Sequence, residues 1–406
     1  MVKKNIKSQK KNLKGPLEGL VIADFSQLAQ GPFATQILGD LGAEIIKIEP
    51  LHGEFMRSFA MNNLYLSDVS ISFLSLNRNK KSIAINLKSE KGLKAIQKLL
   101  MKVDILVENF RPGVMDRLGI GYQKLTKTNP RLIYCSSSGY GSTGPYVDRP
   151  GQDMLIQAMS GMLHLNGTEG EVPSPVSIGI ADFTTGLHIV YAVLAAVIAR
   201  EKTGEGQQVE LNLWSSLLSV MCQEWNTYLN GGGAPQRPKT TIGSPYLGAP
   251  YGVYATQDGY LALGMNPLNK VARLVGLQRY ENETSSNVIE NRDEIHDRLA
   301  QHFLKQKTEK WLEILLKEDI WCAPVNHFSD LDRDPQILHN GIIESFSHKK
   351  AGKVRVAGIP TKFSKTPGRI QRPPPDLGEH SEEILTQFSG LKKAEINLMK
   401  KEGVIL

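Results

Sequence analysis

The segment from Val176 to Arg200 constrains the fold more than any other stretch. It reads as a short apolar strand, then Asp182, then a long helix in which every residue from Ile189 to Ala199 is apolar. That apolar run is short for a bilayer span and suits a helix packed inside a protein. Lys202-Thr203-Gly204-Glu205-Gly206 stops it. Asp182 falls where the first turn begins, and two readings of it stand side by side. It is a helix N-cap, or it is a carboxylate that the free N–H groups and positive end of the helix keep ionised beside an apolar wall.

What surrounds this helix is α/β in pattern. Short apolar strands at Leu20–Ala23, Ile45–Ile48, Ser82–Leu87, Ile105–Val107 and Leu132–Cys135 alternate with helical segments at Gly31–Leu41 and after Ser89. Strands of this kind are buried on both faces, which implies a Rossmann-like, doubly wound parallel sheet. Ligands of such sheets sit at the carboxyl ends of the strands. Gln207–Leu213 alternates as a half-buried strand, and Trp214–Leu229 reads as a helix running to Gly231-Gly232-Gly233. A second, smaller α+β domain follows, with a strand at Tyr260–Leu263 and amphipathic helices near 292–304 and 308–317. The expected organisation is therefore a basic tail (1–14), a large domain (15–225), a small domain (235–325) and a C-terminal segment (330–406) returning to the large one.

Charge and composition exclude several function classes. The net charge of +7 is carried almost wholly by six lysines in residues 1–14, leaving a body of +1, so extended nucleic-acid binding is not expected. The tail itself is expected to be disordered, and it lacks the apolar stretch of a signal peptide. No membrane segment is expected. Three well-separated cysteines, Cys135, Cys222 and Cys322, have no metal-site spacing and fit a reducing cytoplasm. Gly139-Tyr140-Gly141-Ser142-Thr143-Gly144 matches a dinucleotide fingerprint, but Pro145 and Pro150 stand where the phosphate-binding helix must open. Lys80 and Lys81 are read as a solvated face.

A set of phrases in fixed order then carries a resemblance. They include Ala29-Gln30-Gly31-Pro32-Phe33-Ala34, Gly39-Asp40-Leu41-Gly42-Ala43-Glu44, Val107-Glu108-Asn109-Phe110-Arg111-Pro112-Gly113, Ala181-Asp182-Phe183-Thr184-Thr185-Gly186 and Arg372-Pro373-Pro374-Pro375-Asp376-Leu377-Gly378-Glu379-His380. Together they resemble the class III coenzyme A transferases from about Gly15 to the C-terminus, and in wording most of all the succinyl-CoA:dicarboxylate transferases. The resemblance implies a homodimer of interlocked rings, with acyl-CoA and a small carboxylic acid as partners. CoA is then a substrate, with no permanently bound cofactor. It also implies that Asp182 is the catalytic aspartate, and that Gln30, Lys88, Asn109, Phe110, Arg111 and Arg117 contact CoA. Relatives draw acceptor contacts from the small domain, where Gly243-Ser244-Pro245 here replaces a His-Pro phrase. Two alternatives are a non-catalytic CoA-binding protein, which the presence of Asp182 disfavours, and the related α-methylacyl-CoA racemases. Those isomerases use a histidine where this chain has Gln152, and glutamine cannot take up a proton at neutral pH.

Overall fold

The computed structural model describes residues 15–282 and 288–406; the lysine-rich tail expected to be disordered lies outside them. Two compact units result. The first comprises residues up to Asp153, Gly179–Ser216 and Asn340–Leu406; the second comprises Met154–Ile178 and Leu217–His339.

Six strands form the sheet of the first unit: β1 (Val21–Asp24), β2 (Glu44–Glu49), β3 (Lys80–Ala84), β4 (Ile105–Glu108), β5 (Ile133–Ser138) and β6 (Gln208–Asn212). Their order is β3-β2-β1-β4-β5-β6 and every pairing is parallel. This is the doubly wound order, in which the chain reverses direction across the sheet between β1 and β4. Alternation along each strand makes two cores. Ile22, Ile45, Ile105, Val107 and Ile133 face α1 (Gln30–Asp40) and α5 (Ile180–Thr203). Ala23, Ile46, Ile48, Leu106 and Tyr134 face the other way, against α2 (Glu90–Leu100), α11 (Ser381–Ser389) and α12 (Lys393–Lys401). Between β4 and β5 lies one short helix relevant below, α3 (Val114–Arg117).

Helix α5 has 24 residues, so the Ile189–Ala199 run is only its middle, and by length and composition the helix is sufficient to cross a membrane. In the fold Ile189, Val193 and Ala196 are buried against the sheet. Gly186 permits the packing with α1, since a Cβ there would lie 2.8 Å from the Gln30 carbonyl. The apolar strand expected just before Asp182 is not formed. Residues 176–179 are irregular, and the helix starts two residues ahead of Asp182.

In the second unit, α4 (Asp153–Met159) leads into a segment that Gln157 folds back on itself. Its amide donates to the carbonyls of Val176 and Ile178, and its oxygen accepts the Val176 N–H at 3.0 Å. This local closure explains why Met154–Ile178 leaves the expected 15–225 domain. The long helix expected over Trp214–Leu229 is interrupted at Met221, giving α6 (Leu213–Val220) and α7 (Cys222–Leu229). Farther on, β7 (Gly252–Ala255), β8 (Tyr260–Leu263) and β9 (Cys322–Pro324) form an antiparallel sheet in the order β9-β8-β7. Helices α8 (Leu268–Val275), α9 (Arg292–Phe303) and α10 (Thr308–Lys317) cover it. Their apolar faces meet Tyr254 and Leu261 through Val271, Leu299, Phe303, Trp311 and Leu315.

The C-terminal segment of the first unit is fixed by a buried ion pair. Arg78 donates to Asp40 through Nε at 2.9 Å and Nη2 at 2.7 Å, and its Nη1 donates to the Ala357 carbonyl at 2.9 Å. Removing one partner strands a buried charge. Asp40→Ala is therefore expected to cost about 3–5 kcal/mol, read as a fall in the urea midpoint, whereas cutting the exposed Glu90–Lys94 pair should leave that midpoint nearly unchanged.

Candidate active site

The loops after β1 and β4 flank the crevice where the sheet order reverses. Asn109 ties them together. Gln27 donates its N–H to Asn109 Oδ1 at 2.9 Å, and Asn109 Nδ2 donates to the Gln27 carbonyl at 2.8 Å. Both polar groups of Asn109 are thus engaged with backbone, so it shapes the crevice. Gln30, at the first position of α1, is buried and accepts a hydrogen bond from Ser137 Oγ at 2.7 Å through Oε1. Phe110 is half-buried and leans on the core under the sheet, and its N–H donates to Glu108 Oε2 at 2.9 Å.

Arg111 and Arg117 are exposed, and neither guanidinium has a hydrogen-bonding or ionic partner among the described residues. Arg117 lies over the left-handed turn at Gly113, where a Cβ would come within 3.1 Å of its Nη1. Lys88 follows β3 and is likewise exposed, its backbone N–H held by Asn86 Oδ1 at 3.0 Å. Unpaired cations beyond the carboxyl ends of two strands of one sheet, β3 and β4, suit a polyanionic ligand. Lys80 does not join them. Far from being a solvated face, it is fully buried and paired with Asp24 at 3.0 Å. Lys81 bridges Glu44 and Glu383.

Asp182 occupies the third position of α5 and is not its cap. The cap is supplied from a distance by Asp153, whose Oδ1 accepts the N–H groups of Ala181 at 2.7 Å and Asp182 at 3.2 Å. Burial pushes the Asp182 carboxyl up to about 7, and the Asp153 charge adds to the rise. The helix end therefore does not outweigh burial, and two of its free amides are taken by Asp153. Phe33 and Phe183 meet edge to face at 5.0 Å between α1 and the first turn of α5, and Gly186 touches the Gln30 backbone one turn later. The structure thus brings Gln30 and the start of the Asp182 helix together.

Sequence reasoning missed two acids here. Asp153 stands beside the Gly151-Gln152 phrase, and Gly139 and Gly151 hold it there by a backbone contact too close for any side chain. Glu108 ends β4 and lines a cavity of about 440 Å³ with Phe110, Arg111, Tyr134, Tyr140 and Asn212. Burial raises its carboxyl to about 7, against the opposing Phe110 N–H and with a further push from Asp116. The Gly139–Gly144 stretch lines the same cavity in part, and no helix opens on it before Asp153.

The raised Asp182 carboxyl makes a stability prediction. Its folded value lies above the ordinary 3.8, so the fold binds the proton more tightly than the unfolded chain and loses stability as pH rises from about 4 to about 7. Asp182→Asn removes this cost. The variant is expected to be more stable than the parent by about 1–3 kcal/mol near pH 8 and to match it near pH 4, by thermal melts at both.

The family model described as CoA-transferase family III matches residues 17–381. Succinyl-CoA:glutarate CoA-transferase of Mus musculus is 36% identical, over 96% of this chain and 90% of the relative. Acetyl-CoA:oxalate CoA-transferase of Acetobacter aceti is 34% identical, over 93% and 96%. Among solved structures, a CAIB/BAIF family protein from Brucella suis superposes with a TM-score of 0.80 at 29% identity, over 92% of this chain and 99% of that one. The fold is that of the solved structures it matches, and the chain belongs to CoA-transferase family III.

Proposed function

We propose that this enzyme moves coenzyme A from an acyl-CoA to a small dicarboxylic acid through covalent intermediates on Asp182. The half-buried Asp182 carboxylate, desolvated and set on a rigid helix end, carries the reading. Relatives named for succinyl-CoA, glutarate and oxalate supply the substrate class.

Ionised Asp182 attacks the thioester carbonyl carbon, and the C–S bond breaks to release CoA thiolate and a mixed anhydride. The thiolate attacks the Asp182 acyl carbon and expels the donor carboxylate, leaving an aspartyl-CoA thioester. A carboxylate of the acceptor attacks that thioester and again releases thiolate, forming a second anhydride. Thiolate then takes the acceptor acyl group and restores the Asp182 carboxylate. Every step exchanges one acyl bond for another, and protons and electrons balance. Arg111, Arg117 and Lys88 are assigned to the phosphates of CoA, Phe110 to an apolar part of it, Gln30 to the thioester end, and Asn109 to holding the loop that carries Gln30. Gln152 is exposed and has no proton to exchange at neutral pH, which disfavours the racemase chemistry of the related isomerases.

Incubation with succinyl-CoA and hydroxylamine is expected to convert Asp182 to a hydroxamate, visible by peptide mass spectrometry. Asp182→Asn should fold yet lose transfer altogether. The rate of anhydride formation should rise with pH through about 7, as the carboxyl ionises. Near-normal turnover by Asp182→Asn with glutarate or oxalate as acceptor would refute the mechanism.

The homodimer belongs to the same proposal. In the first unit α5 leaves Leu187, Tyr191 and Ile198 exposed on one face, and in the second unit Trp225, Tyr228 and Leu229 stand exposed on α7. Apolar faces of this kind are normally covered, and the interlocked pairing of the family would cover them with a second copy. Light scattering at micromolar protein is expected to give twice the chain mass of 44.9 kDa; a monomer would exclude the pairing.

A further inference from the structure

Leu28 has a φ of 65°, in the left-handed region where a side chain with a Cβ is strained. Its side chain is 39% exposed, so packing does not hold it there. Polar contacts do. On one side Asn109 clamps Gln27. On the other, the Leu28 N–H donates to Glu54 Oε2 at 3.2 Å, and Lys47 Nζ donates to the Ser26 carbonyl at 3.0 Å.

Glu54 and Lys47 are themselves buried, with Glu54 Oε1 3.6 Å from Lys47 Nζ and otherwise without a hydrogen bond. Glu54 Oε2 also accepts the Met56 N–H at 3.0 Å, and the Glu54 N–H donates to Glu49 Oε2 at 3.2 Å. A buried ion pair with one oxygen unsatisfied adds little net stability, because desolvation offsets most of its attraction. What it does supply is a fixed acceptor beneath a strained peptide two residues before Gln30.

We propose that Glu54, braced by Lys47, is a positioning residue that holds Leu28 in its left-handed conformation and so sets Ala29 and Gln30 at the mouth of α1. The proposal rests on the transferase reading for its effect on catalysis, because the Gln30 loop lies in the crevice assigned to acyl-CoA. Without the Glu54 acceptor Leu28 relaxes toward negative φ, and the peptide leading into Gln30 turns with it. A role limited to capping the short helical turn at Phe55–Arg57 would leave Leu28 unaffected.

The test uses the full chain with Glu54→Ala, Leu28→Gly and the double variant, and with Glu54→Met, which keeps the side-chain length without an oxygen acceptor, added to keep the comparison if the alanine variant does not fold. Deuterium exchange of the peptide spanning residues 25–34 and kcat/KM for CoA transfer are read together. Glu54→Ala is expected to raise exchange at Leu28–Gln30 about tenfold and to lower kcat/KM about tenfold, the size of one lost buried hydrogen bond. Glycine adopts positive φ without strain, so the double variant should return to within about threefold of Leu28→Gly alone in both readouts. A double variant as impaired as Glu54→Ala overturns the proposal, as does unchanged exchange in the Glu54 variants. Exchange is measured without turnover. A parent protein that fails to transfer CoA therefore refutes the transferase reading alone, while the exchange comparison still decides the role of Glu54.

Discussion

The carboxylate of Asp153 reaches 28 residues along the chain to take the Ala181 amide, and the geometry of the site follows from that bond. It starts α5 at Ile180, leaves Asp182 at the third helical position with its own N–H bonded to the same oxygen, and brings a second negative charge beside the Asp182 carboxyl. A side chain that capped its own helix would be locked against the backbone. Because the cap comes from elsewhere, the Asp182 oxygens are left free for the chemistry proposed for them. Burial and the neighbouring charge then leave a carboxylate that is poorly solvated and correspondingly basic, which favours attack on a thioester.

Around it, the crevice is built from charges that are buried and spoken for. Asp24 is wholly enclosed; burial alone would raise its carboxyl, but Lys80, Lys47 and the hydroxyls of Ser26 and Thr35 bring it down to about 2. Lys80 also donates to the Pro32 carbonyl at 2.9 Å, tying β3 to the first turn of α1. Inner lysines therefore shape the loops, while the outer cations Lys88, Arg111 and Arg117 remain unpaired at the surface. Residue type alone does not separate these two groups; enclosure does.

That distinction marks how much of the molecule was legible in the sequence. The sheet strands announce themselves because parallel strands are apolar on both faces; α1 is legible from Gly31-Pro32 and its stopping Gly42, α2 from Ser89 and the apolar period after it, and α5 from its apolar run and its stopping Gly204. β3 is the instructive failure. Its first residues, Lys80 and Lys81, read as solvated because their partners Asp24 and Glu44 lie 56 and 37 residues away. The roles of Asp153 and Glu54 are equally long-range and leave no local trace. Asp182 stands out in the sequence because an unbroken apolar helix follows it, yet it is not the cap, and the chain before it forms no strand, Gln157 holding Val176 and Ile178. The apolar run itself did not reveal that α5 extends to 24 residues.

The core beneath the sheet is finished by residues 384–405. Ile384, Leu385, Phe388, Ile396, Met399, Val404 and Ile405 complete the cluster that begins at Ala23, Ile405 bridges to Ile85 and the Asn86 N–H donates to the Val404 carbonyl at 2.8 Å. During synthesis the first strands leave the ribosome long before these residues exist, so one face of the nascent sheet stays open until residues 384–405 emerge. The second unit is encoded within that interval and has its own core, so it can fold while the first waits. Emergence of residues 384–405, rather than of the first strands, is then the event that closes the larger unit, and chains cut short before them carry an apolar sheet face exposed to aggregation.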